Sequence, residues 1–431
     1  MKRRVCHIII FWVCILSSTL TYSQAKNTSE NRSQEEGYRK ARMYYNRAVT
    51  ASTEDRLDSI AINIQKSLEI SLNNSYSDLT ADNYKLLGLA YDKIPDWENT
   101  LRNLLRAGSG YSLAGMKDSE AAVWGLVAGR YFSFEVYRKT VDYARRSFSL
   151  YSSDKKTDKA TSAEMAGEAF FMLNDFTNAV RWFDTAMTWF EKQADTAGMV
   201  RALEGSASSY IRVLDASVSL SKVWMNNINL SSTLTSRILG SVSSSLAISH
   251  YEKLLPIHER QNDTGSIAGT YNNLGYIYFR QEAYTRAMEY FLKAVEYMEK
   301  SGAGKEEMAS MLANLAICQL NTGNEDTGFR TFEKSLSYAG KGKSVFEKAR
   351  IEHIISRIYL GNNDLYHAEI YCRDCIESSG RSENYNVLRQ CYQTLSEIKE
   401  KGNDFVKALE YFQKYLSLRD SLTVADELSN S

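Results

Sequence analysis

The stretch GTYNNLGYIYFRQEAYTRAMEYFLKAVEYMEK, Gly269 to Lys300, decides how the rest of the chain is read. Tyr271, Leu274, Gly275 and Tyr278 recur at i, i+3, i+4 and i+7, and after a short polar interruption Ala287, Phe291 and Ala294 recur at i, i+4 and i+7. That period puts each set on one face of a helix and predicts a hairpin of two amphipathic helices over 268–300. Gly275 and Ala287 are small enough for the paired helices to approach closely, while Tyr271, Tyr278 and Phe291 fill the space between one hairpin and the next.

The same design extends in both directions. With Ala287 as the anchor of a second helix, equivalents fall at Thr100, Thr140, Ala179, Ala247, Gly328, Ala368 and Ala408, mostly about 40 residues apart, as stacked helical repeats require. Around these anchors Tyr84, Leu87, Gly88 and Tyr91, then Trp124, Ala128 and Tyr131, then Gly167 and Phe183, and finally Phe412 take the core slots of the unit. The pattern resembles the tetratricopeptide repeat, which spaces Trp or Tyr, Leu-Gly, Tyr, Ala, Phe and Ala over about 34 residues. All those slots are filled between Gly269 and Lys300; only the closing Pro slot departs, being Glu299. The resemblance implies an all-α, right-handed superhelical solenoid of roughly eight hairpins with lengthened helices.

Two places break the pattern. Ala179 and Ala247 are about 70 residues apart, and 214–246, rich in Ser and Asn without a Gly-Tyr pair, is expected as a degenerate hairpin or a long loop. The first hairpin, 38–72, keeps Ala61 and Leu68 and reads as a cap whose outer face meets water. Inter-repeat loops are expected at Ser301–Lys305, Gly340–Lys343 and Ser378–Ser382. The solenoid then covers 38–423, leaving 424–431 as a tail.

Before the repeats, Lys2, Arg3 and Arg4 form a basic start, Val5 to Leu20 is mostly apolar, and Thr21-Tyr22-Ser23 places small residues before Gln24. This reads as a signal peptide, 1–23, cleaved after Ser23, and predicts export to the periplasm or cell envelope. The alternative is a retained membrane anchor, against which the apolar run is shorter than the ~20 residues of a spanning helix and gives way to Ser17, Ser18 and Thr19; after cleavage no membrane span is expected. Residues 24–37 are polar and are expected to form a disordered linker.

With 52 basic and 52 acidic residues the net charge is zero, which removes the field that draws a chain to nucleic acid. No catalytic, cofactor-binding or metal-binding set emerges. His250, His258, His353 and His367 lack His-x-x-x-His spacing, and Gly-x-Gly at Gly108, Gly302 and Gly340 lacks the strand and third glycine of a phosphate loop. Cys372-x-x-Cys375 aligns with Phe291 and Ala294, so it is expected in the core, with a disulfide or a redox or zinc half-site as the alternatives. Tyr111 and Tyr151 fall in expected loops and are the candidates for an exposed aromatic platform.

In tetratricopeptide stacks the first helices line a groove. The resemblance places there Asn272, Tyr276, Phe279 and Arg280, then Ile317, Leu320 and Asn321, then His353, Arg357 and neighbouring Arg350. Gln393, Glu397 and Glu400 continue the row. Such a groove suits a protein or peptide ligand carrying acidic residues. The implied function is a non-enzymatic interaction scaffold or sensory module of the envelope. Ala408 to Leu422, ending in Asp-Ser-Leu, also resembles the last repeat of exported tetratricopeptide sensor regions of Bacteroidetes-type histidine kinases and helix-turn-helix regulators. A sensor part severed from its output half is therefore one alternative, and an outer-membrane assembly or uptake factor is another.

Overall fold

The computed structural model describes residues 33–224, 230–302, 304–339, 345–382 and 384–430. The signal peptide expected at 1–23, residues 24–32 of the expected linker and the loop expected at Gly340–Lys343 lie outside them, and for 217–224, 230–239 and 422–430 the structure describes the helical backbone alone. Among the described residues there are eighteen helices and no strand. They are α1 (33–53), α2 (Leu57–Asn73), α3 (Ser77–Lys93), α4 (Trp97–Leu113), α5 (Lys117–Ser133), α6 (Tyr137–Leu150), α7 (Lys156–Met172), α8 (Phe176–Glu191) and α9 (Thr196–Trp224). There follow α10 (Leu230–Gln261), α11 (Thr264–Arg280), α12 (Tyr284–Ser301), α13 (Lys305–Asn321), α14 (Glu325–Ala339), α15 (Val345–Gly361), α16 (Leu365–Arg381), α17 (Tyr385–Lys401) and α18 (Phe405–Asn430). Odd-numbered helices are the first and even-numbered helices the second of each hairpin. They form two compact units, one through Ser209 and one from Tyr210 onward.

The turns explain why the hairpins form where they do. Asn174, Asn363 and Asn403 adopt φ near +60° (59°, 62° and 60°). Each following amide reaches back five residues, Asp175 to the Phe170 carbonyl, Asp364 to Tyr359 and Asp404 to Lys399, all at 2.9 Å, which closes the first helix in a Schellman turn. The same Asp then opens the next helix. The side chains of Asp175, Asp364 and Asp404 accept the amides of Asn178, His367 and Lys407 at 3.2, 3.1 and 3.3 Å, satisfying donors that a helix start leaves open.

Thr100, Thr140, Ala179, Ala287, Gly328, Ala368 and Ala408 each stand fourth in a second helix, and all are buried. Facing them, a Cβ on Gly88, Gly167 or Gly275 would lie 3.0, 3.0 or 2.8 Å from Leu104, Phe183 or Phe291, so the glycines let the first helix close on its partner. Later hairpins put serine in that slot: Ser356 and Ser396 donate to the Ala368 and Ala408 carbonyls at 2.8 and 2.7 Å. Tyr271, Leu274, Tyr278, Phe291, Ala294, Trp124 and Ala128 are buried, whereas Tyr84, Leu87, Tyr91 and Tyr131 are half-buried at the margin of the core.

Several expectations need correction. Phe412 is 42% exposed, although Phe183 and Phe291 in the same slot are 3% and 0% exposed, because no described helix packs on the outer side of α18. The helix expected from 38 already includes 33–37, and α18 carries the expected tail as far as Asn430. In the first hairpin it is Ile60 and Ile64 that are buried, each 1% exposed, while Ala61 faces outward. Ser378 to Arg381 finish α16 instead of forming a loop, with the Asn384 amide closing the turn on the Ser379 carbonyl at 3.0 Å.

Within 214–246 the described residues, 214–224 and 230–246, are helical, since α9 and α10 run for 29 and 32 residues where α11 has 17, and 225–229 lie outside the described residues. Serine tolerates a helix when Leu, Ile and Val share the segment, so richness in Ser did not mean a loop. Tyr111 lies inside α4, 2% exposed, with its hydroxyl donating to Asp82 at 2.6 Å, and half-buried Tyr151 ends α6. No described helix is long and apolar enough to cross a membrane.

Candidate functional site

In the second unit α11, α13, α15 and α17 adjoin in sequence, so their inward residues share one face. Asn272, Tyr276, Phe279, Arg280, Ile317, Leu320, Arg350 and His353 are half-buried on these helices, with Asn321 and Arg357 exposed. Most of the polar ones bond to protein neighbours. Arg280 pairs with Asp215 of α9 at 3.2 Å, and the Tyr276 hydroxyl donates to the same carboxylate at 2.9 Å. Burial and then Asp215 push the Tyr276 phenol up to about 12.

Arg350 donates to Glu347 at 2.6 Å and to Ser310 of α13 at 3.0 Å, and Arg357 pairs with Glu397 of α17. His353 Nε2 lies 3.1 Å from the Thr394 hydroxyl of α17, and burial, with a smaller push from Arg357, lowers its pKa to about 4. Asn321 donates to the Ile317 carbonyl of its own helix at 2.8 Å. The three arginines expected to attract an acidic ligand thus already have carboxylate partners, and two of these ion pairs, Arg280–Asp215 and Arg357–Glu397, join neighbouring first helices.

The first unit opens differently. A cleft of about 380 Å³ is lined by Phe132 of α5, Glu168, Phe171 and Met172 of α7, Phe183 of α8, and Arg201, Glu204, Gly205 and Ser208 of α9. Its aromatic walls are fixed by the hairpin turns: Phe132 meets Tyr137, and Phe171 meets Phe176, edge to face at 5.5 and 5.4 Å between ring centres. Phe183 forms the floor, wedged between Gly167 and Gly205, whose added Cβ atoms would come within 3.0 and 2.5 Å of its ring.

Arg201 reaches the buried Glu164 carboxylate with Nε at 2.6 Å and Nη2 at 3.0 Å, a bidentate pair. Although the side chain as a whole is exposed, the surrounding cleft walls partly strip water from the Glu168 carboxyl and, with repulsion from Glu164 second, raise it above its usual range, with Arg201 opposing. The cleft therefore couples apolar walls to carboxylates held beside them.

The repeat register contains the signal for this cleft. Counted from the Leu-Gly slot, the offsets that select Asn272, Tyr276, Phe279 and Arg280 select Glu164, Glu168, Phe171 and Met172 when they are applied at Gly167. The register counted from Gly275 onward does not reach this site. The α9 wall carried less signal, since that helix has Gly205 but no aromatic-glycine pair.

Cys372 and Cys375 are both buried as their repeat slots imply. Cys375 is joined to Cys391 across α16 and α17, Cα atoms 6.4 Å apart, and the Cys372 thiol donates to the Cys391 carbonyl at 3.1 Å. Burial pushes the Cys372 thiol up to about 12. The pairing with Cys391 was not evident from the Cys-x-x-Cys spacing. Among the described residues no three His, Cys, Asp or Glu side chains gather as metal ligands.

Residues 266–341 match the tetratricopeptide repeat family. Among solved structures, the apo form of RapI is 14% identical over 70% of this chain and 99% of its own, with a TM-score of 0.51. The apo form of the quorum sensor NprR from B. thuringiensis is 14% identical over 90% of this chain and 99% of its own, TM-score 0.49. A Rap protein complexed with competence and sporulation factor is 13% identical over 90% and 99%, TM-score 0.42. The likeness to RapI shows the fold: an all-α superhelical repeat. No curated protein sequence matches the chain.

Proposed function

We propose that this chain, a tetratricopeptide-like helical-repeat protein, is an exported binding module of the cell envelope that receives a protein or peptide segment on the first-helix face of its first unit. The observation that carries the reading is the cleft walled by Phe132, Phe171 and Met172 over Phe183. Stacked hairpins characteristically use such faces for extended ligands, and apolar side chains beside a few fixed polar groups are what a binding pocket needs. The reading assigns the chain no reaction. The basic and apolar N-terminus supports export, and the Asp-Ser-Leu ending supports a sensory role for the bound state.

The test is capture from envelope extract with the chain from Gln24 to Ser431, compared with a Met172→Trp variant. Met172 is 48% exposed, so the larger ring is accommodated without disturbing the core and fills the cleft. Partners retained by the parent and lost by the variant support the reading; equal capture overturns it. Export has a separate check. The N-terminal sequence of the protein recovered from the envelope is expected to begin at Gln24, and an intact Met1 overturns that part.

A further inference from the structure

The cleft lining holds two carboxylates, Glu168 and Glu204, against one guanidinium, Arg201, and Glu164 already neutralises that guanidinium through two hydrogen bonds. No described cation hydrogen-bonds Glu168. An acidic ligand would meet repulsion from Glu168, and to use Arg201 it would have to strip a buried Glu164 of its partner. An uncharged apolar ligand would cover the Glu168 carboxylate and remove its water with no replacement. A cation beside an apolar group satisfies both parts of the cleft, because the carboxylate gains a partner where its surroundings favour strong pairing.

We infer that the cleft takes a basic peptide segment in which a Lys or Arg adjoins a bulky apolar residue, the cation set against Glu168 and the apolar side chain against Phe132, Phe171 and Met172. This rests on the binding function proposed above and specifies its ligand class. The repeat geometry leaves room for such a ligand without rearrangement: Phe132 and Phe171 occupy the same register position on adjacent first helices and frame the opening, with Glu168 almost one turn before Phe171 on α7. Arg201, held by Glu164 and lying 5.7 Å above the Phe190 ring, is a fixed wall of the site, unavailable as a hook for anions.

The probe is a library of random phage-displayed peptides selected on the immobilised chain at neutral pH, followed by fluorescence anisotropy of the enriched peptide with the parent, Glu168→Gln and Met172→Trp. The expected consensus is a basic residue beside an aromatic or aliphatic one, with binding weakened about tenfold by Glu168→Gln, the scale of one lost charge-assisted contact. An acidic or uncharged consensus, or unchanged binding by Glu168→Gln, overturns the ligand class while leaving the binding function standing. No enrichment, or enriched peptides that bind Met172→Trp equally well, overturns both. Glu168 is exposed, and an unchanged melting temperature separates loss of binding from loss of fold.

Discussion

The first-helix faces of the two units are built on one register and differ in where their polar side chains are directed. At the position two residues beyond the Leu slot, Arg357 of α15 reaches Glu397 of α17, and Tyr276 of α11 reaches Asp215 of α9. In the first unit Glu168 of α7 occupies that position, lines the cleft, and is bonded by no described cation. Sequence register thus says which residues face inward; only packing says whether they are engaged with the protein or available to a ligand.

The largest effect should come from the floor of the cleft. Phe183→Ala removes a ring packed between two glycines and should cost about 3–5 kcal/mol in urea unfolding, while Phe412→Ala, in the same slot on α18 but 42% exposed, should cost about 1 kcal/mol or less. Similar losses at both sites would break the argument that neighbouring hairpins, not the hairpin itself, bury this slot.

Next comes the histidine that ties α15 to α17. His353 has a folded pKa of about 4, below the ordinary histidine value, so the unfolded chain takes up a proton that the fold refuses. Stability should therefore be fully present above about pH 6.5 and fall by roughly 2–3 kcal/mol as pH drops towards 4. Arg357 on its own helix contributes to that depression while pairing with Glu397 of α17, and Thr394 faces the imidazole from α17. Urea midpoints across this window should show His353→Gln flattening the fall; an unchanged slope would mean the imidazole is not held neutral.

The smallest effect is expected where a groove read from register alone would place the largest. Replacing Arg357 by Gln should lower stability by about 0–1 kcal/mol, since that pair is well solvated, and leave binding of a selected peptide within about twofold. A large loss of binding would move the ligand site to the second unit.

The hairpins were legible because burial imposes a period on the sequence: from Thr100 to Ala408 the anchors are buried at the fourth place of each second helix, except Ala247, which lies deep inside the long α10. The long α9 and α10 were less legible, because a Ser-rich helix carries a weak pattern while its backbone bonds remain intact. Phe412 shows a different limit. Its slot is apolar in the sequence, yet burial there depends on a helix on the far side, which no local pattern reports. For the site, register placed Tyr276, Phe279 and Arg280 on the inward face, but the carboxylate partners that engage their polar groups lie up to about sixty residues away, beyond the reach of local spacing.

The most direct test is amide hydrogen exchange of the chain with and without the enriched basic peptide. Binding in the cleft predicts added protection in α5, α7 and the part of α9 before Ser209, with α11, α13 and α15 unchanged. Protection confined to α11, α13 and α15 would contradict the assignment of the ligand face to the first unit.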